Sequence, residues 1–187
     1  PQALRVLDAA GCDVILVETV GVGQSEVEIS RMADTTVVLL APGMGDGIQA
    51  AKAGLLEVGD VYVVNKADRD GADQVRRDLR SMLALAERPE GAWKPPVIKT
   101  VAAQGQGADE VVDAVDRHRT WAAETDELAR RRARRARDEI EAIALTTLRA
   151  RFGDLGDGAR LDDLASSVAS GVSDPYAAAD SLLADLS

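Results

Sequence analysis

Four short apolar runs, at residues 13–17, 35–40, 61–64 and 97–101, constrain this chain more than any other feature. Each is rich in β-branched residues and bounded by Gly, Pro or polar residues, as buried strands are. Stretches with helical spacing fill the gaps, at about 24–32, 47–56, 72–86 and from 110 onward. Strands that alternate with helices form a parallel sheet covered on its faces, so the first 120 residues read as α/β. Composition agrees: hydrophobic residues make up 46% of the chain but aromatic ones only 3%. The core must therefore come from Val, Leu, Ile and Ala, which suits buried parallel strands.

Beyond Trp121 the pattern changes. A long helix is expected to about residue 151, with Ala129, Ala133, Ala136, Ile140, Ile143 and Thr147 on one narrow stripe that seeks a partner helix. Residues 153–158 break it, a second helix covers 161–169, and Asp174 with Pro175 supplies a cap and a first-turn proline for a third. The expected division is 1–120 for the α/β part and 121–187 for a helical extension. The proline-rich stretch 87–96 is a connection inside the first part. Lys and Arg number 22 against 32 Asp and Glu, a formal charge of -10, which opposes general affinity for nucleic acid or anionic membrane. No apolar run is long enough to span a bilayer and no leader is visible, so a cytoplasmic protein is expected. The single cysteine, Cys12, precedes an apolar run and reads as a small core residue. A start at Pro1-Gln2 reads as internal to a longer chain.

The chemistry begins where the third run ends, in Asn65-Lys66-Ala67-Asp68. One carboxylate can accept both N1–H and the N2 amine of guanine, so Asp68 can select guanine over adenine. Lys66 can lay its stem along the base and Asn65 can hold neighbouring loops. The same residues could equally form a capped turn. A second element decides between them: the first run ends in Glu18-Thr19-Val20-Gly21-Val22-Gly23-Gln24. In P-loop enzymes a carboxylate at this strand end supports Mg2+, and the glycine offers its N–H to the terminal phosphate, roles that fit Glu18 and Gly21. Lys99-Thr100-Val101-Ala102-Ala103, ending the last run, is placed to meet the guanine carbonyl through backbone N–H groups, with Val101 and Ala102 as the contacts. The glycine-rich stretch 43–49 reads either as a nucleotide-responsive switch or as a permissive connection with Asp46 as helix cap. The six arginines among residues 130–137 read as a solvated or partner-facing helix surface, and the lone His118 is assigned no function.

No Gly-x-x-x-x-Gly-Lys-Ser/Thr sequence occurs in these residues. Without that cradle the β- and γ-phosphates lack positioned donors and Mg2+ lacks its hydroxyl ligand, so this chain alone is expected not to hydrolyse GTP. The expected class is an incomplete P-loop GTPase domain with a helical arm, the P-loop and switch I lying outside these residues. The strand that precedes a P-loop belongs between the runs at 13–17 and 35–40, and apolar surface should be exposed there.

The string Glu18-Thr19-Val20-Gly21-Val22-Gly23-Gln24-Ser25-Glu26 resembles the MeaB/ArgK family, the methylmalonyl-CoA mutase-associated GTPases. The likeness continues through Pro42-Gly43-Met44-Gly45-Asp46-Gly47-Ile48-Gln49, Asn65-Lys66-Ala67-Asp68 and Asp174-Pro175-Tyr176. It implies a GTP-dependent chaperone of an adenosylcobalamin-dependent acyl-CoA mutase, working with GTP/GDP and Mg2+. It also implies an extra switch at 43–49 and a homodimer formed through the C-terminal helices. Val22 stands where many GTPases have a water-orienting glutamine, with Gln24 two positions on and Lys52 beyond the extra switch as further catalytic candidates. Slow intrinsic turnover accelerated by a partner follows. Val101 replaces the serine of the usual Ser-Ala pair, a change that the backbone contact survives. The rival expectation is a nonenzymatic helical module whose arginine-rich helix binds an acidic protein or nucleic acid.

Overall fold

The structure, a computed structural model, describes residues 2–19, 30–43, 58–155 and 159–184. The chain divides into two compact units, Pro1–Arg135 and Ala136–Ser187.

The first unit is built on a parallel sheet of three strands, β1 (Val37–Leu40), β2 (Val61–Val64) and β3 (Val97–Lys99), in that order. Val37 pairs with Val61 and Tyr62 with Val97. All four residues of β2 are buried, as a central parallel strand requires. Helix α2 (Ala72–Leu85) turns Ala72, Val75, Leu79 and Leu83 onto one face, against Val38, Leu40, Tyr62, Val64 and Val97. Helix α3 (Ala108–Glu124) covers the other face, with Ala114 buried among Val61, Val63 and Ile98 and flanked by Val111 and Val115. The expected α/β layering and three of the four strands are therefore present.

The fourth run behaves otherwise. After a short helix α1 (Gln2–Ala9), residues 14–19 form no regular secondary structure. Val14 is 72% exposed and Leu16 90%. A strand needs a ladder partner for its backbone groups, and none of the described strands runs beside this one. The free edge of β1 shows the same lack of cover, with Leu39 65% exposed. Cys12, expected in the core, is exposed for the same reason: the run that was to bury it is not in the sheet. The helices expected at 24–32 and 47–56 lie mostly outside the described residues.

Tight packing below β2 offers a direct test. A Cβ on Gly59 would come within 2.5 Å of the Tyr62 ring, which is fully buried and has nowhere to move. Gly59→Ala is expected to cost about 1–3 kcal/mol, read as a lower urea midpoint with unchanged slope.

The chain continues into helix α4 (Glu127–Leu155), which carries the arginine run and crosses the division at Arg135. In the second unit, α5 (Ala159–Ala169) packs on α6 (Pro175–Ala184). The Asp174 carboxylate accepts the N–H groups of Tyr176 (2.8 Å) and Ala177 (3.1 Å), the cap read from the sequence. Ile140 and Ile143 of α4 are exposed. Among the described residues no helix is long and apolar enough to cross a membrane.

Candidate nucleotide site

The C-terminal ends of β2 and β3 lie side by side because their ladder continues past the last strand residues: Thr100 N–H donates to the Val64 carbonyl at 2.9 Å. Directly beyond, Asn65 ties two loops together. Its Oδ1 accepts the Thr100 hydroxyl and the Ala102 N–H, both at 3.1 Å. Its own N–H donates to Leu40 of β1 at 2.8 Å, so a single residue joins all three strand ends. Lys66 follows at φ 55°, the left-handed region that a non-glycine residue occupies only when its surroundings impose it. That turn lets Ala67 N–H reach the Thr100 carbonyl at 3.0 Å, and Lys66 accepts from Arg69 N–H at 3.0 Å. Asp68 is left on the surface, where its carboxylate meets no hydrogen-bond donor among the described residues.

The facing loop is closed on itself. Val101 and Gln106 exchange N–H donors at 3.0 and 3.3 Å, around a single 3-10 turn at Ala102–Gln104. Gly107, at φ 76°, completes the closure, since a Cβ there would stand 2.4 Å from the Lys99 carbonyl oxygen. Lys99 in turn binds Asp73 in the first turn of α2 at 2.9 Å. That hydrogen bond and the charge of Lys99 hold the Asp73 carboxyl below its ordinary range. The N–H groups of Val101 and Ala102 are thus both used within the scaffold, to Gln106 and Asn65. Ala103 N–H makes none of these bonds.

Asn65, Lys66, Asp68, Val101 and Ala102 are therefore brought together at one end of the sheet. Glu18 is exposed at the end of the first run. Gly21, Gln24 and Lys52 lie outside the described residues, as does the stretch 44–49. Two contributors were not singled out from sequence. Thr100 shares the Asn65 carboxamide, and Gly107 is sterically required. Their signal was limited to adjacency, a hydroxyl residue one position before the expected loop and a glycine one turn after it.

Chemically, the turn offers an exposed carboxylate without a partner among the described residues and an exposed lysine beside it. No group of three or more potential metal ligands occurs among the described residues.

The parallel α/β sheet is that of a P-loop GTPase fold. The solved structure of an LAO/AO transport system kinase matches 98% of this chain and 60% of its own, with a TM-score of 0.69 and 28% identity. The family described as methylmalonyl-CoA mutase-associated GTPase MeaB matches residues 1–156, and the chain belongs to that family. A protein of Pyrococcus horikoshii named as a GTPase is 42% identical over 184 residues, which are 97% of this chain and 57% of that relative. GTPase ArgK of Escherichia coli is 41% identical over 117 residues, covering 61% of this chain and 35% of its own. The mouse mitochondrial methylmalonic aciduria type A homolog is 37% identical over 134 residues, 70% of this chain and 32% of its own. The chain thus spans little more than half the length of the first of these relatives.

Proposed function

We propose that the whole protein binds and hydrolyses GTP and that these residues supply its guanine-reading and metal-side elements. The observation that supports this reading is the Asn65 bridge, which ties the turn that bears Asp68 to the closed loop at 101–106. Asp68 would accept from guanine N1–H and N2–H, Ala103 N–H would meet the base carbonyl, and Lys66 would cover the face of the ring. Val101 and Ala102 hold the loop. Glu18 would hold Mg2+ through water; bound there, the ion neutralises charge on the phosphates. Gly21 would donate to the terminal phosphate, with Gln24 and Lys52 as candidates for orienting water. The phosphate cradle itself is expected in residues beyond this sequence.

The family's association with a methylmalonyl-CoA mutase supports a second layer of the proposal. In it the protein is a cytoplasmic chaperone of an adenosylcobalamin-dependent acyl-CoA mutase, dimeric through its helical extension from residue 121. The exposed Ile140 and Ile143 of α4 suit such pairing.

The test is turnover of GTP against ATP by the full-length protein, together with its association with purified cobalamin mutase in GDP and in a nonhydrolysable GTP analogue. Preference for GTP and nucleotide-dependent association are expected. Equal use of ATP refutes the guanine reading, and association indifferent to nucleotide refutes the chaperone reading. Asn65→Ala, which unties Thr100 and Ala102, is expected to weaken GDP binding about 10- to 100-fold, from two hydrogen bonds at roughly 0.5–1.5 kcal/mol each.

A further inference from the structure

The turn that bears Asp68 is tied to the end of β3 on both sides. Before Asp68, the Asn65 carboxamide takes the Thr100 hydroxyl and the Ala102 N–H, and Ala67 N–H reaches the Thr100 carbonyl. After it, the Asp73 carboxylate in the first turn of α2 accepts from Lys99 Nζ at 2.9 Å. Lys99 and Thr100 are adjacent, so both ties end on neighbouring residues of one segment. The main chain of Lys99 is itself fixed. It pairs with Val64 in the ladder, and its carbonyl oxygen stands too close to Gly107 for any Cβ there.

Between the ties the chain has little cover. Residues 68–71 are exposed, and Gly71 enters α2 at φ 89° with no side chain capping the helix. Backbone bonds from Arg69 N–H to Lys66 at 3.0 Å and from Ala72 N–H to Arg69 at 3.4 Å shape the turn but reach no other element. Ala72 and Val75 seat α2 on the sheet through apolar contact. The Lys99–Asp73 pair adds the polar tie that sets the first turn of α2 against the strand leading into the loop at 101–106.

We propose that Lys99 and Asp73 are positioning residues for base recognition: with Asn65 they clamp the Asp68 turn at both ends against the loop at 101–106. This rests on the guanine reading above. The pair is exposed and therefore screened, so its removal is expected to weaken GDP binding about two- to fivefold, far less than removal of Asp68 itself.

The experiment uses the full-length protein and two probes, guanosine and inosine diphosphate. They carry the same phosphates, and inosine lacks only the 2-amine. The ratio of their affinities therefore reports how well the Asp68 carboxylate is aimed, and a change in the field at the phosphates cancels. Affinities are measured for wild type, Asp73→Asn, Lys99→Gln and the double variant. Each single variant is expected to narrow the preference for guanosine over inosine diphosphate by about twofold or more. The double variant should lose no more than the larger single, because the two groups act as a unit. Lys99→Gln leaves the first-turn carboxylate of α2 in place, so its agreement with Asp73→Asn separates the tie from an effect of charge on the helix end. A preference that narrows by less than about twofold in either single variant, or losses that add in the double variant, overturns the proposal. A wild-type protein that binds the two diphosphates equally fails differently, since it removes the guanine reading and the clamp with it.

Discussion

Asp68→Asn in the full-length protein is expected to weaken GTP and GDP binding by roughly 100- to 10,000-fold, because two charge-assisted hydrogen bonds at about 1.5–3 kcal/mol each are lost. The exposed carboxylate has no internal partner among the described residues, so its removal should leave the fold intact and the thermal midpoint of the apo protein unchanged. The substitution also inverts the pattern. A carboxamide offers a donor where the carboxylate only accepts, and xanthine carries a carbonyl where guanine carries its amine. The variant should therefore bind xanthosine diphosphate better than guanosine diphosphate, measured by competition. If Asp68→Asn keeps the wild-type preference, Asp68 does not read the base, whatever the family resemblance.

That site was legible in sequence because its parts are local. Asn65, Lys66 and Asp68 sit within one turn of the end of β2, and the apolar run before them fixes where that turn must be. The second loop could be placed because it ends the next strand of the same sheet. What sequence could not show is which loop amides the scaffold itself takes up. Val101 and Ala102 looked like the ligand contacts, yet their N–H groups are taken by Gln106 and Asn65, partners that only the closed loop reveals.

Long-range pairing was the other source of difference. The run at 13–17 has strand composition, but composition does not provide a neighbour, and Leu16 stays in solvent. The arginine run looked solvated because each arginine was judged against its own helix. Arg131, Arg132 and Arg135 meet Asp34 and Asp60, from 71 to 101 residues away, whereas Arg130 and Arg134 stay exposed beside Glu127 of their own helix, and His118 meets Thr35 across 83. A binary pattern records which residues are charged and not which remote carboxylate they will meet, so a clasp and a solvated face read alike. His118 illustrates the same limit. It is fully buried, with Nδ1 2.9 Å from the Thr35 hydroxyl and Nε2 3.2 Å from Asp60, beneath the rings of Trp93 and Trp121.

Asp60 is the centre of that buried network, and its loss should be the most damaging change to stability. Only 5% exposed, it accepts from Thr36 N–H at 2.8 Å and from both prongs of Arg131, and its backbone carbonyl takes the Trp93 indole at 2.7 Å. Burial alone would raise its carboxyl, but the His118 ring at 3.2 Å and hydrogen bonds from Arg131 and Thr36 N–H outweigh burial and hold it at about 2. Asp60→Ala leaves a half-buried guanidinium with only Glu127 and the Asp34 carbonyl, a loss of up to about 3–5 kcal/mol. Asp60→Asn keeps the shape and should cost less. The pH dependence separates charge from packing. A folded-state value depressed below the unfolded one, about 3.9, contributes stability that is complete above that pH and disappears as the pH falls through about 2. Nearly two units correspond to about 2.6 kcal/mol in full. Asp34 and Glu127 are also held low, in each case by arginines that overcome the cost of burial, so the wild-type curve alone mixes several carboxylates. The difference between wild type and Asp60→Asn isolates one of them. That difference, from denaturant midpoints at a series of pH values, is expected to be constant near neutrality and to shrink by about 2 kcal/mol between pH ~4 and ~2. A difference that does not change with pH would mean that Asp60 acts through shape alone and that its charge does not hold the root of α4.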